Sequence, residues 1–187
     1  MARLFVALEV PPLIKHMLES VQGGVPGARW VNSEMFHITL AFLGEVDGRA
    51  EADIMSALAP VTVNPFDIGF SGFDTFGDKK RVRSIHVRVK TSPELNALQH
   101  SITHALKRLG FEPEHKRYTP HITLARLKFC DAARVGRFVE EASHLRLPPM
   151  TVRGFTLFES HLAHTGAHYL PQCEFGGENE IAHAEAV

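Results

Sequence analysis

The chain has 187 residues, 44% of them hydrophobic and 22% charged, with two cysteines and a formal net charge of −1. These values fit one globular domain or two small lobes sharing a core, and they exclude collagen, coiled coil and wholesale disorder. The apolar run from Leu4 to Leu8 stops at Glu9, too short for a secretory or membrane segment, and two cysteines make no disulfide framework, so a soluble cytoplasmic protein is expected.

In chain order, Arg3 to Val10 alternates as a strand does. Pro11-Pro12 then opens a helical pattern through Leu13, Ile14, Met17, Leu18 and Val21, which Gly23-Gly24 ends. The run His37-Ile38-Thr39-Leu40-Ala41 follows as a strand, residues 49–59 read as helix, and Thr62 to Phe76 as strand interrupted by turn residues. The order then repeats. Val82 to Val89 alternates, and Ser92 caps a helix with Pro93 at its first position. The apolar stripe of that helix is Leu95, Leu98, Ile102, Ala105, Leu106 and Leu109, and Gly110 closes it. A second run, His121-Ile122-Thr123-Leu124-Ala125, is identical to the first. Residues 131–143 read as helix, Leu147 to Phe158 as strand and Thr165 to Gln172 as a last strand, before a polar tail from Gly176 that is expected to fray.

The prediction is therefore an α+β fold of two pseudo-symmetric lobes from an internal duplication, roughly residues 1–78 and 79–175. Each lobe is an antiparallel sheet with flanking helices, and the site lies in the cleft between them. Residues 176–187 form the tail.

Charge is unevenly spread: the balance is −6 over residues 1–78, +9 over 79–128 and −4 over 129–187. A basic middle between acidic flanks suits an anionic ligand met locally, and a solvated charged face is the plain alternative.

Side chains at i and i+2 share one face of a strand, so His37 lies with Thr39 and His121 with Thr123, while Ile38, Leu40, Ile122 and Leu124 turn to the core. A two-fold arrangement would bring two imidazoles and two hydroxyls into one volume. One neutral ring acts as base and one protonated ring as acid, on opposite sides of a phosphorus atom, as in-line attack requires. The hydroxyls hold non-bridging oxygens, and no metal is needed.

Two His-x-Thr-x motifs on a duplicated α+β unit resemble the 2H phosphoesterase superfamily. The segments Arg3-Leu4-Phe5-Val6-Ala7-Leu8, Phe36-His37-Ile38-Thr39-Leu40-Ala41-Phe42-Leu43-Gly44-Glu45-Val46 and Tyr118-Thr119-Pro120-His121-Ile122-Thr123-Leu124-Ala125-Arg126 are similar to its RNA 2',3'-cyclic phosphodiesterase branch, also called 2'-5' RNA ligase. The resemblance spans about residues 2 to 175. It implies hydrolysis of a 2',3'-cyclic phosphate RNA end to a 2'-phosphomonoester, with no cofactor, and a reversible 2'-5' ligation of tRNA halves as a side activity. It implies that His121 activates water and His37 protonates the leaving oxygen, an assignment that near-symmetry makes easy to reverse. It further implies that Thr39 and Thr123 bind phosphate oxygens and that Arg126 adds positive charge at the developing phosphorane. The expected protein is a monomer with RNA ends as its partner. The alternatives are a phosphodiesterase for small nucleotide or ADP-ribose cyclic phosphates, and a non-catalytic RNA- or nucleotide-binding module.

Two features depart from this pattern. Strand parity puts Arg126 on the face of Ile122 and Leu124, so it reaches the phosphate only if the strand bends, bulges or ends near Ala125; otherwise it is a surface ion-pair residue. His86 stands where relatives often carry Trp, which bears on base stacking.

Other candidates have plainer readings. His161, His164 and His168 have helical spacing but read as loop, which argues against a metal site. Trp30 is expected to pack, and Phe5, Phe42, Phe66, Phe70, Phe73 and Phe76 to be mostly core. Lys79-Lys80-Arg81 and His115-Lys116-Arg117 either rim the cleft toward RNA phosphates or are simply solvated. Cys130 and Cys173 carry no catalytic signature.

Overall fold

The computed structural model describes residues 2–78, 81–112, 117–163 and 166–176. Lys79, Lys80, His115, Lys116, His164 and the tail after Gly176 lie outside the described residues.

The first half contains β1 (Ala2–Glu9), α1 (Pro12–Glu19), β2 (Ala28–Trp30), β3 (His37–Val46), α2 (Gly48–Leu58), β4 (Phe66–Ile68) and β5 (Phe70–Asp78). The second contains β6 (Arg81–Val89), α3 (Pro93–Lys107), β7 (His121–Leu127), α4 (Ala132–Ala142), β8 (Met150–Val152), β9 (Gly154–Ala163) and β10 (Gly166–Gly176). Helix starts follow local chemistry. The Asp47 carboxylate accepts from the Arg49 and Ala50 amides ahead of α2, the Ser92 hydroxyl from Leu95 N–H ahead of α3, and Asp131 from Ala133 N–H ahead of α4.

The strands form two four-stranded antiparallel sheets, ordered β10-β9-β1-β3 and β2-β7-β6-β5, with a two-stranded ladder of β4 and β8. The two sequence halves are exchanged between these sheets. β5 from the first half edges the β6–β7 sheet, and β9 from the second half pairs with β1. β5 and β9 match each other in this exchange, but β2 also adds to β7 with no counterpart on β3, and β10 extends β9 with none beyond β5; the β4–β8 ladder joins the two exchanged segments.

Each sheet turns one face to a continuous core. From β1 come Leu4, Val6 and Leu8, from β3 Ile38 and Leu40, from β6 Ile85, Val87 and Val89, and from β7 Ile122 and Leu124, all 5% exposed or less. Burying each such side chain contributes about 1.5–3 kcal/mol. Helix α3 supplies Leu95, Leu98, Ile102 and Leu106 to the same core, and its Gln99 amide donates to Leu40 O at 3.4 Å. Trp30 packs on Phe138 of α4, with ring centroids 5.2 Å apart.

Several sequence expectations are corrected here. Leu13 and Leu109 face solvent rather than the core: α1 is only eight residues long, and Leu109 lies beyond the end of α3. Phe42 is 62% and Phe76 36% exposed, because both stand on the cleft side of their sheets. Strand β2 was not anticipated; three residues are too few to show alternation.

Candidate active site

His37 and His121 open β3 and β7 at the same motif position, and identical local hydrogen bonds orient both rings. Nδ1 of His37 lies 2.7 Å from Met35 O, and Nδ1 of His121 lies 2.7 Å from Thr119 O. A carbonyl only accepts, so each Nδ1 carries a proton and each Nε2 is the nitrogen left for chemistry. This tautomer lock was not visible in the sequence, since it depends on the carbonyl two residues upstream folding back on the ring.

Thr39 and Thr123 follow on the same strand faces, both partly exposed. Arg126 joins them through a bulge. Between β6 and β7 the pairing steps from Ile85↔Ala125 to His86↔Thr123, which leaves Leu124 without an opposite residue. The extra residue reverses parity. Arg126 pairs with Ser84, Thr123 with His86 and His121 with Arg88, and Ser84, His86 and Arg88 share one face of β6. His121, Thr123 and Arg126 therefore lie on a single face. Leu124 and Ala125, adjacent in sequence, are both fully buried, as the bulge requires. Arg126 is exposed, and among the described residues no ion pair involves its guanidinium.

β3 carries the twin irregularity. Its pairing with β1 steps from Val6↔Ala41 to Ala7↔Thr39, leaving Leu40 extra. The residue corresponding to Arg126 is thus Phe42, so this motif position is cationic in the second copy and apolar in the first.

The two motifs face one cleft. Charge on His121 and on Arg126 each disfavours charge on His37, and Arg126 likewise disfavours charge on His121. Both histidines are held below the ordinary 6.5, chiefly by burial, with repulsion from these cations adding to it and the carbonyl hydrogen bonds opposing it. A hydrogen bond ties the motifs together: the Tyr118 hydroxyl donates to Thr39 O at 3.3 Å.

The walls of the site were missed by sequence reading. His37 rests against Phe5, 5.0 Å between centroids, and edge-on to Tyr169 at 5.1 Å. His121 rests edge-on to Phe76 at 4.8 Å and to His86 at 5.2 Å. Strand alternation places Phe5 on the cleft face of β1, but Tyr169 and Phe76 arrive from distant strands and leave no local signal. His86 is 2% exposed and covered by Phe76, so it offers no open face to a base. Burial lowers its pKa to about 4, and its Nδ1 has no hydrogen-bond partner.

His161 lies opposite His168 in the β9–β10 hairpin, with its Nε2 3.1 Å from Glu159, and Cys130 and Cys173 are both unpaired. Among the described residues no group of three His, Cys, Asp or Glu converges as a metal site, and no helix is long and apolar enough to cross a membrane.

The fold is shared with solved structures. A Thermus thermophilus protein superposes with a TM-score of 0.75 at 24% identity, covering 93% of this chain and 97% of that one. Escherichia coli LigT complexed with 3'-AMP superposes with a TM-score of 0.72 at 24% identity, covering 94% and 97%. In sequence the chain is 36% identical over 170 residues to an Archaeoglobus fulgidus protein named RNA 2',3'-cyclic phosphodiesterase, covering 89% of this chain and 96% of the relative. A Bacillus subtilis protein of the same name is 32% identical over 136 residues, covering 72% and 73%. The model of the 2'-5' RNA ligase superfamily matches residues 10–165, and with the twin motifs set in one cleft the chain belongs to that family.

Proposed function

We propose that the protein is a metal-independent phosphodiesterase that opens 2',3'-cyclic phosphate ends of RNA to 2'-phosphomonoesters. Water oxygen attacks phosphorus while His121 Nε2 takes its proton. The bond from phosphorus to the 3' oxygen breaks, and His37 Nε2 delivers a proton to that leaving oxygen. Each transfer is worth roughly 10²–10⁴-fold. The hydroxyls of Thr39 and Thr123 donate to the non-bridging oxygens, and Arg126 offsets the charge that builds on them. A bound phosphate also supplies the negative charge that raises the two depressed imidazoles toward a working range. With the 5' hydroxyl of a second RNA in place of water, the same groups working in the same direction would open the 2',3'-cyclic end to a 2'-5' linkage as a side activity, tRNA halves being one such pair, and the reverse of that step would cleave the linkage.

The single observation that carries this reading is that the two His-x-Thr strands, tied together by the Tyr118 hydroxyl on Thr39 O, hold their histidine rings by identical Nδ1–carbonyl contacts of 2.7 Å, with Arg126 on the same face as His121. The names of the Archaeoglobus and Bacillus relatives support the substrate. The test is a synthetic oligonucleotide ending in a 2',3'-cyclic phosphate, assayed with chelator present. Ring opening to the 2'-monophosphate is expected; an unopened ring, or activity only with added metal, contradicts the reading.

A further inference from the structure

A cavity of about 520 Å³ lies between α4 and the loop that follows α1. Phe138 is one of its walls, and that ring packs on Phe73 and Trp30. Phe73 stands opposite Val87 and Trp30 opposite Ala125, both fully buried, so these contacts mark the core face of the β2-β7-β6-β5 sheet. His86, His121 and Arg126 occupy the other face of that sheet. The cavity and the groups assigned to catalysis are therefore on opposite sides of one sheet.

Its walls hold donors that the fold leaves unused. Arg134 and Arg137, three apart and so neighbours on the surface of α4, both line the cavity. Neither forms an ion pair among the described residues, although Glu141 lies four residues on from Arg137 and lines the same cavity. On the loop side, Gly23 and Gly24 present bare backbone. A Cβ at either would meet nothing within 4 Å, and among the described residues neither amide donates to a backbone carbonyl. Two guanidinium forks and two open amides around one concavity are the donors that a phosphate group takes, each fork matching a pair of its oxygens. Glu141 adds an acceptor suited to a hydroxyl. The volume falls within the range of roughly 300–1,000 Å³ typical of small-molecule sites, more than a lone inorganic ion fills.

We propose that this cavity binds a phosphorylated small molecule with free hydroxyls, of sugar-phosphate to nucleotide size. The phosphate lies against Arg134, Arg137 and the Gly23–Gly24 amides, and a hydroxyl donates to Glu141. The site is separate from the cleft and stands independently of the activity proposed above.

Trp30 is the sole tryptophan, and its ring lies 5.2 Å from that of Phe138, so its emission reads the cavity. The experiment titrates the full chain with ribose 5-phosphate and with ribose, following Trp30 emission and, in parallel, heat. Saturable binding of ribose 5-phosphate and none of ribose is expected. Substituting Arg134→Ala and Arg137→Ala together should weaken binding at least about tenfold, since each removes a charged donor. Both arginines are exposed, so the fold should survive and ring opening of the cyclic phosphate oligonucleotide should be unchanged. Arg126→Gln, in the cleft, should leave the titration as it is. Binding that survives the double substitution overturns the site, as does binding lost in Arg126→Gln, which would put the ligand in the cleft. No saturable binding by either readout overturns it too. Should the double variant lose affinity only for a single-stranded RNA with a 3' hydroxyl, and not for ribose 5-phosphate, the arginines contact RNA and the small-molecule assignment falls.

Discussion

Both motif histidines sit where a positive charge is disfavoured, and this dictates the pH behaviour. The profile of kcat/KM reports the free enzyme. Since both rings titrate below 6.5, activity rises through the lowered pKa of the base and falls through the lowered pKa of the acid, giving a bell on the acid side of neutrality. The two values belong to the pair rather than to either ring. Arg126 depresses both rings, so Arg126→Gln should slow turnover and move both limbs to higher pH; limbs that stay put would remove Arg126 from the site. His37→Ala and His121→Ala are each expected to lower kcat by about 10²–10⁴-fold, measured on the cyclic phosphate oligonucleotide. The histidines and threonines were legible because a period of two and an identical repeat are local facts. Arg126 was legible as a residue but not in its placement, since its facing depends on the unopposed Leu124, and a bulge has no signature in the run Ile122 to Ala125. Tyr169, Phe76 and the role of His86 depend on strands far apart in the chain.

At the scale of elements, the hairpin of β5 and β6 presents the ring of Phe76. Gly77 sits at the register irregularity next to Phe76 with φ +130°, and a Cβ there would stand 2.3 Å from Arg81 O and 2.9 Å from Arg83 N. Backbone atoms cannot yield as a flexible side chain would. Gly77→Ala should therefore cost at least about 1–3 kcal/mol, read as a lowered denaturation midpoint. An alanine variant as stable as the parent would contradict this geometry. The helices were legible from caps and periodicity. The strand read from Thr62 to Phe76 with turn residues inside it is divided into β4 and β5, which belong to different sheets. The break falls at Gly69, and alternation on either side gives no hint that the partners differ.

At the scale of the whole molecule, exchange of β5 and β9 means that neither half holds a complete sheet. The duplication was plain in the sequence, but its exchange was not, because pairing between distant strands is set by the core they jointly bury. Fragments 1–78 and 79–187 should each fail to give cooperative unfolding alone and recover it when mixed; independent folding of either would oppose this topology. Acid sensitivity is also global. His86 titrates at about 4 when folded against 6.5 when unfolded, so the unfolded chain binds the extra proton and stability falls as pH drops through that window. The loss is on the order of 3 kcal/mol at about 1.4 kcal/mol per unit. His86→Phe should lose less stability than the parent between pH 7 and pH 4, and an equal loss would show that His86 is not the group responsible.

Two imidazoles working on the same phosphorus atom in the same step leave a kinetic signature, and the double variant reads it. With His37→Ala, His121→Ala and both together assayed on one cyclic phosphate oligonucleotide, the double variant should be no more than about tenfold slower than the slower single, because removing either partner already disables the shared step. Losses that multiply, so that the double variant falls by the product of the two singles, would mean that the histidines act independently and that no single phosphate lies between them.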